Sequence, residues 1–172
     1  AHTRARTGIQ HVCRELMGEF ARHHTGRPVV YDRYARQWRP PDRLEQALIR
    51  PSASGGPTGK RSGQWTRWQK LRGRLSLLLS KRSTEAALDG LEGLFVPELF
   101  DVKRDAAIRT CRLPRVGMFY DAIPVLHPEW TPRSTVERFP DYLRVLATMD
   151  RVLCISECSE RDLYASWAKL DI

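Results

Sequence analysis

The sequence predicts an α/β fold in which a parallel sheet is flanked by helices. Three short apolar runs, Leu94–Val96, 116–120 and 152–155, have the length and the β-branched or aromatic content of buried strands. Stretches with apolar residues at helical spacing separate these runs along the chain. Parallel neighbours need such crossover segments, so the alternation predicts a parallel sheet.

The N-terminal part of the chain predicts a helix followed by a strand. Thr7 and Gln10 have the spacing of a capping box, apolar residues then recur at helical period, and Gly26 suits the position after the helix end. The next β-branched and aromatic run predicts a strand over residues 28–31. No strand precedes this helix, so we expect either that a first strand is missing or that the sheet is built without one.

The middle of the chain differs in composition from the rest. Residues 50–63 are dominated by Pro, Ser, Gly and Thr, which predicts a mobile loop. Residues 65–82 keep leucines and tryptophans at helical spacing among arginines and lysines, which predicts a basic amphipathic helix. Its leucines could pack on the sheet, or the helix could contact an anionic membrane surface. Three further helices are predicted, over residues 101–111, over residues 140–149 and after Ser156.

Length and charge limit the classes of function. The 172 residues predict one domain spanning 1–172, and the formal net charge of +9 favours anionic partners. No apolar run approaches the ~20 residues of a membrane-spanning helix, and the first residues do not form a secretory signal. We therefore expect a cytoplasmic protein that could lie at the inner face of the membrane. The spacing of the four cysteines predicts reduced thiols: Cys13, Cys111, Cys154 and Cys158.

Ligands of open α/β sheets bind beyond the carboxyl ends of the strands, so the first candidate site residues are the polar residues that follow the predicted strands. Asp121 follows a predicted strand and could orient a sugar hydroxyl or act as a general base, or it could only cap the next turn. His127 is either a packed residue or a catalyst. Ser156 and Ser159 follow another strand, where helix capping explains both without a ligand.

A second candidate lies at the start of the first helix. The sequence Thr7-Gly8-Ile9 places a glycine where free backbone N–H groups favour a phosphate, although on the residues alone an ordinary N-terminal turn is the simpler explanation. No grouping along the chain has the pattern of a Ser-His-Asp triad, a Walker loop or a zinc site. We therefore predict no bound metal.

Three segments, RTGIQHVCREL (6–16), FYDAIPVLHPEW (119–130) and RVLCISECSERDL (151–163), resemble the N-terminal domain of retaining, mannosyltransferase-like group 1 glycosyltransferases. The resemblance holds for their order and spacing and spans nearly the whole chain. It implies a Rossmann-like domain that forms one half of a GT-B architecture. A second such domain would bind the nucleotide sugar, and the active site would be the cleft between the two domains.

The resemblance also implies roles for individual residues. Gly8, with Thr7 and Ile9, would lie in the loop that approaches the donor phosphates. Asp121 matches the aspartate of a His-Asp pair, with Tyr120 in place of the histidine. On the acceptor side of the cleft we place Tyr120, His127, Ser156 and Ser159, and the two serines are expected to be mostly structural.

The expected activity is transfer of a sugar, with retention of configuration, from a nucleotide-sugar substrate to a glycan or lipid-linked acceptor. The sequence contains neither the donor-binding domain nor the paired-glutamate motif of the family, so we expect no cofactor and no activity from this domain alone. The alternative is a basic non-enzymatic nucleic-acid-binding or interaction module. In favour of this alternative, Trp65 and Trp68 lie among lysines and arginines at the start of the basic segment. No recognisable nucleic-acid-binding motif accompanies them, so we expect no nucleic-acid partner.

Overall fold

The computed structural model describes residues 8–23, 26–32, 34–43, 45–46, 71, 87–97 and 102–172. The chain divides into two compact units, Ala1–Gly90 and Leu91–Ile172. The predicted loop at 50–63 lies outside the described residues. Of the predicted basic helix at 65–82 the structure describes Leu71, which is helical and 49% exposed.

The described part of the first unit contains one long helix and a pair of strands. Helix α1 spans Gly8–Arg22, which confirms the predicted helix, while Thr7 lies outside the described residues. A Cβ on Gly26 would lie 2.7 Å from the Cβ of Phe20. Close approach of the chain to α1 therefore explains this glycine.

The two strands of this unit form an antiparallel pair. Strand β1, Val30–Asp32, overlaps the predicted strand, and it pairs with β2, Gln37–Arg39, which the sequence analysis did not predict. Asp32 accepts hydrogen bonds from the Arg39 side chain at 3.0 Å and from backbone N–H groups of the turn. Arg39 also contacts Glu45 at 2.6 and 2.8 Å, and both carboxylates are 1% exposed. Burial opposes the charge of Arg39, but hydrogen bonds and charges from Glu45 and Asp32 outweigh it and raise the pKa of Arg39.

The second unit is a three-stranded parallel sheet with helices, in the strand order β3-β4-β5. Its α/β class and parallel sheet confirm the coarse prediction, and the architecture is compatible with a Rossmann-like fold. In chain order the elements are β3 Leu94–Val96, α2 Val102–Arg109, β4 Arg115–Phe119, α3 Ile123–Leu126, a 3-10 turn Pro128–Trp130, α4 Arg133–Val136, α5 Phe139–Leu146, β5 Arg151–Cys154 and α6 Glu157–Lys169.

The core of this unit lies where α5 packs on the central strand β4. Leu143 and Leu146 of α5 are fully buried. A Cβ on Gly117 of β4 would lie 2.6 Å from Cδ2 of Leu146, so only glycine lets the helix approach this closely. The indole N–H of Trp167 in α6 donates to the carbonyl of Leu143 at 3.0 Å and ties α6 to α5.

Candidate functional site

The carboxyl ends of the three parallel strands bring four of the eight predicted site residues, Tyr120, Asp121, Ser156 and Ser159, to one edge of the second unit. Pro97 follows β3, Tyr120 and Asp121 follow β4, and Ser156 begins the helix after β5. Parallel strands end at the same edge of a sheet, so these residues share that edge. This edge is the candidate functional site.

Tyr120 fixes the end of β4 to the elements on either side. Its hydroxyl donates a short hydrogen bond to the carbonyl of Pro97, and its own carbonyl accepts from the hydroxyl of Ser159 at 2.7 Å. The Tyr120 residue is 7% exposed. Because burial and these bonds engage both its ring and its backbone, Tyr120 acts as a structural support of the edge.

The two serines have different tasks at the start of α6. Ser156 is the N-cap, since its hydroxyl oxygen accepts from the backbone N–H of Ser159 at 3.1 Å. Ser159 lies within the first turn of the helix. The two hydroxyl oxygens are 3.0 Å apart, and because the Ser159 proton goes to Tyr120, Ser156 donates in that contact. Ser156 is exposed and Ser159 is buried, so of the pair only Ser156 faces solvent.

Asp121 has one carboxylate oxygen in a local turn. Oδ1 accepts from the backbone N–H of Ile123 at 3.0 Å, and this bond supports the start of α3. The residue is half-buried. Among the described residues, no side chain donates a hydrogen bond to the Asp121 carboxylate. Oδ2 is therefore available to accept a hydrogen bond from a ligand.

Tyr142 of α5 also supports the end of β4. Its hydroxyl donates to the carbonyl of Met118 at 2.7 Å. Burial, and to a smaller extent the charges of Tyr120, Asp121 and Cys154, raise the pKa of Tyr142. The phenol therefore stays neutral and remains a donor throughout the usual working range of pH. The sequence analysis did not single out this residue.

His127 and Trp130 lie further along the segment after β4 and stack on each other. Their ring centroids are 4.1 Å apart and the planes meet at 12°. Nδ1 of His127 lies 3.4 Å from Oε1 of Glu129. The 3-10 turn Pro128–Trp130 holds the pair, because the backbone N–H of Trp130 donates to the carbonyl of His127 at 3.0 Å. Trp130 is 70% exposed, so this aromatic pair stands at the surface.

The predicted phosphate-binding residues belong to the first unit. Gly8 begins α1 and is exposed, and Ile9 is half-buried. A Cβ on Gly8 would have no atom within 4 Å, so packing within the structure does not require glycine at this position. Thr7 lies outside the described residues.

A separate groove of about 200 Å³ lies between β5 and helices α5 and α6. Its polar lining comes from Asp150, Arg151, Cys154 and Glu160, and Trp167 forms part of its apolar wall. None of the candidate residues at the carboxyl edge lines this groove. The groove and the candidate site are therefore different features of the unit.

The part of the chain that the structure describes contains no group of three His, Cys, Asp or Glu side chains that could hold a metal ion. Its helices also include none with the length and apolar character needed to cross a membrane.

The chain has no significant match to a protein-family model, to a curated protein or to a solved structure. We therefore infer function from the residues of the site and from the motifs of the sequence.

Proposed function

We propose that this chain supplies the acceptor-side domain of a retaining glycosyltransferase that uses a nucleotide sugar as donor. The observation that carries the proposal is the segment FYDAIPVLHPEW, whose Asp121 follows the central strand of a parallel sheet at its carboxyl edge. A glycan or a lipid-linked sugar would be the acceptor. A second Rossmann-like domain, facing this one in a GT-B architecture, would bind the donor.

Asp121 has the chemistry that an acceptor hydroxyl needs. A carboxylate accepts a hydrogen bond from a sugar hydroxyl and can take up its proton as the new bond forms. Oδ1 is held by Ile123, so the direction of the carboxylate is fixed while Oδ2 stays available. Pre-orientation of this kind lowers the entropy cost of placing the hydroxyl.

The proposed domain would work at a membrane surface when its acceptor is lipid-linked. The net charge of +9 favours an anionic surface, and the basic segment 65–82 is the proposed point of peripheral contact.

Gly8, Thr7 and Ile9 are proposed to approach the donor phosphates. These roles follow from the motifs of the sequence.

The test compares two substitutions of Asp121 in the whole protein that carries this sequence. Asp121→Asn keeps an acceptor oxygen for Ile123 and removes the base, whereas Asp121→Ala removes both. If Asp121 is a general base, each variant should lower turnover by ~10²-fold or more, and Asp121→Asn should unfold at the same denaturant concentration as the wild type. Turnover would be measured as sugar transfer from a panel of nucleotide sugars.

Two results would contradict this assignment. Full turnover in Asp121→Asn, with loss only in Asp121→Ala, would show that Asp121 serves the turn and not the reaction. Salt-sensitive binding of a short single-stranded oligonucleotide, without binding of any nucleotide sugar, would favour the nucleic-acid-binding alternative.

A further inference from the structure

Trp130 offers an open aromatic face at the surface of the second unit. It has the largest exposed fraction, 70%, among the exposed large apolar side chains of the described residues. The imidazole of His127 lies flat against one face of its indole, at a centroid distance of 4.1 Å. With that face covered and so much of the residue still exposed, the opposite face of the indole is open to solvent.

The ring is held in place before any ligand arrives. His127 stacks beneath it, the 3-10 turn fixes its backbone, and the side chain has only two torsions to immobilise. A preformed aromatic surface loses little conformational entropy on binding. We call these two stacked rings the His127–Trp130 platform.

The polar groups around the platform narrow the chemistry of its ligand. The carboxylate of Glu129 is exposed and lies 3.4 Å from Nδ1 of His127, so it adds negative charge on the imidazole side of the platform. A phosphate-rich ligand would be repelled by this charge.

The geometry points to a pyranose ring as the occupant. One face of a pyranose carries C–H groups with a small positive charge, and these suit the negative face of an indole. A single ring is too small a surface for a stable protein partner. We infer that the platform binds a sugar ring of the acceptor, an inference that rests on the proposed function and names its substrate class.

The direct test measures binding of simple sugars to this chain by saturation-transfer NMR. The probes are methyl α-mannopyranoside, methyl β-glucopyranoside and a disaccharide of each, with glycerol as a polyol that has no ring. Trp130→Ala should weaken binding by about tenfold or more, and Trp130→Phe should retain part of it. Tyr164→Ala is the matched control, because Tyr164 is 60% exposed and lies on α6 of the same unit.

The outcomes separate this inference from the proposed function. Binding that Trp130→Ala removes and Tyr164→Ala preserves would support the platform, even if the whole protein transfers no sugar. Sugar transfer in which Trp130→Ala leaves the acceptor KM and kcat unchanged would overturn the platform and keep the glycosyltransferase. Absence of binding of every probe to the wild-type chain would also overturn it.

Discussion

Gly117 allows the most direct test of how the second unit is packed. It lies in the middle of β4, opposite Val96 and Val152 of the neighbouring strands. A Cβ at this position would be 2.6 Å from Cδ2 of Leu146 and 3.4 Å from Cγ of Met149. Carbon atoms prefer a separation of about 3.5–4.0 Å, so Leu146, which is 0% exposed, would have to move by roughly 1 Å inside the core.

Gly117→Ala should therefore destabilise the protein. Overpacking of this kind costs about 1–3 kcal/mol, and the smaller conformational entropy of an unfolded chain with alanine offsets about 0.4–1 kcal/mol of that cost. At the middle of both ranges, the expected net loss in the free energy of unfolding is about 1.3 kcal/mol. It would be measured by urea denaturation, with a lower midpoint and an unchanged slope.

Two further variants show whether the contact with Leu146 is the cause. Leu146→Ala removes the clashing carbon, so the double variant should be more stable than the sum of the single losses predicts, by about 0.5 kcal/mol or more. Gly8→Ala is the control, since a Cβ there meets no atom within 4 Å, and it should be neutral or stabilising by up to about 1 kcal/mol. Unchanged stability of Gly117→Ala, or strict additivity with Leu146→Ala, would refute the reasoning.

Two other predictions concern titratable groups of the second unit. Hydrogen bonds from the backbone and the guanidinium of Arg115 lower the pKa of Asp150 in the folded protein. The Asp150 carboxylate therefore stabilises the fold above the ordinary carboxyl pKa of about 3.9, and this stabilisation is lost as pH falls through the lower pKa of the folded state. Asp150→Asn should therefore flatten the fall in stability below about pH 4, and an unchanged acid limb would contradict this. Burial, and then the charge of Glu160, raise the pKa of the Cys154 thiol, whereas Cys158 is exposed. Iodoacetamide at neutral pH should label Cys158 before Cys154, as mapped by mass spectrometry. Labelling in the reverse order would contradict the raised pKa of Cys154.

The second unit was predictable because its elements carry local signals. Strand β3 has the predicted bounds, and β4 begins and ends one residue earlier than predicted. Helix α5 has its buried residues at the spacing that predicted it, although Tyr142 and Val145 widen the buried face beyond Leu143 and Leu146. Short apolar runs and amphipathic periods are properties of neighbouring residues, so they can be recognised without knowledge of the tertiary structure.

The first unit shows where local signals were insufficient. Strand β2 has one apolar residue, Trp38, between Gln37 and Arg39, so neither its composition nor its alternation predicted a strand. Its conformation depends on the partner strand and on the buried contacts of Arg39 with Asp32 and Glu45. Contacts of that kind join residues that no period relates, and a single sequence does not reveal them.

The candidate site likewise combines features that local sequence predicts with contacts that it does not. The place of Asp121 at a strand end and the capping role of Ser156 follow from local sequence. The bond from Ser159 to the Tyr120 carbonyl spans 39 positions and was not predictable. The exposure of Trp130 was equally hidden, because the direction of its ring depends on two short elements, α3 and the 3-10 turn Pro128–Trp130.

These contacts separate the residues that build the edge from those that remain available to a ligand. Tyr120 and Ser159 are buried and bond to each other, so substitution of either should disturb stability together with any activity. Asp121 and Trp130 lie on the surface segment that this fixed strand end supports, and loops on rigid scaffolds commonly carry function. Of these four residues, only Asp121 and Trp130 should give variants that lose sugar binding or transfer without loss of stability, which makes Asp121→Asn and Trp130→Ala the informative pair.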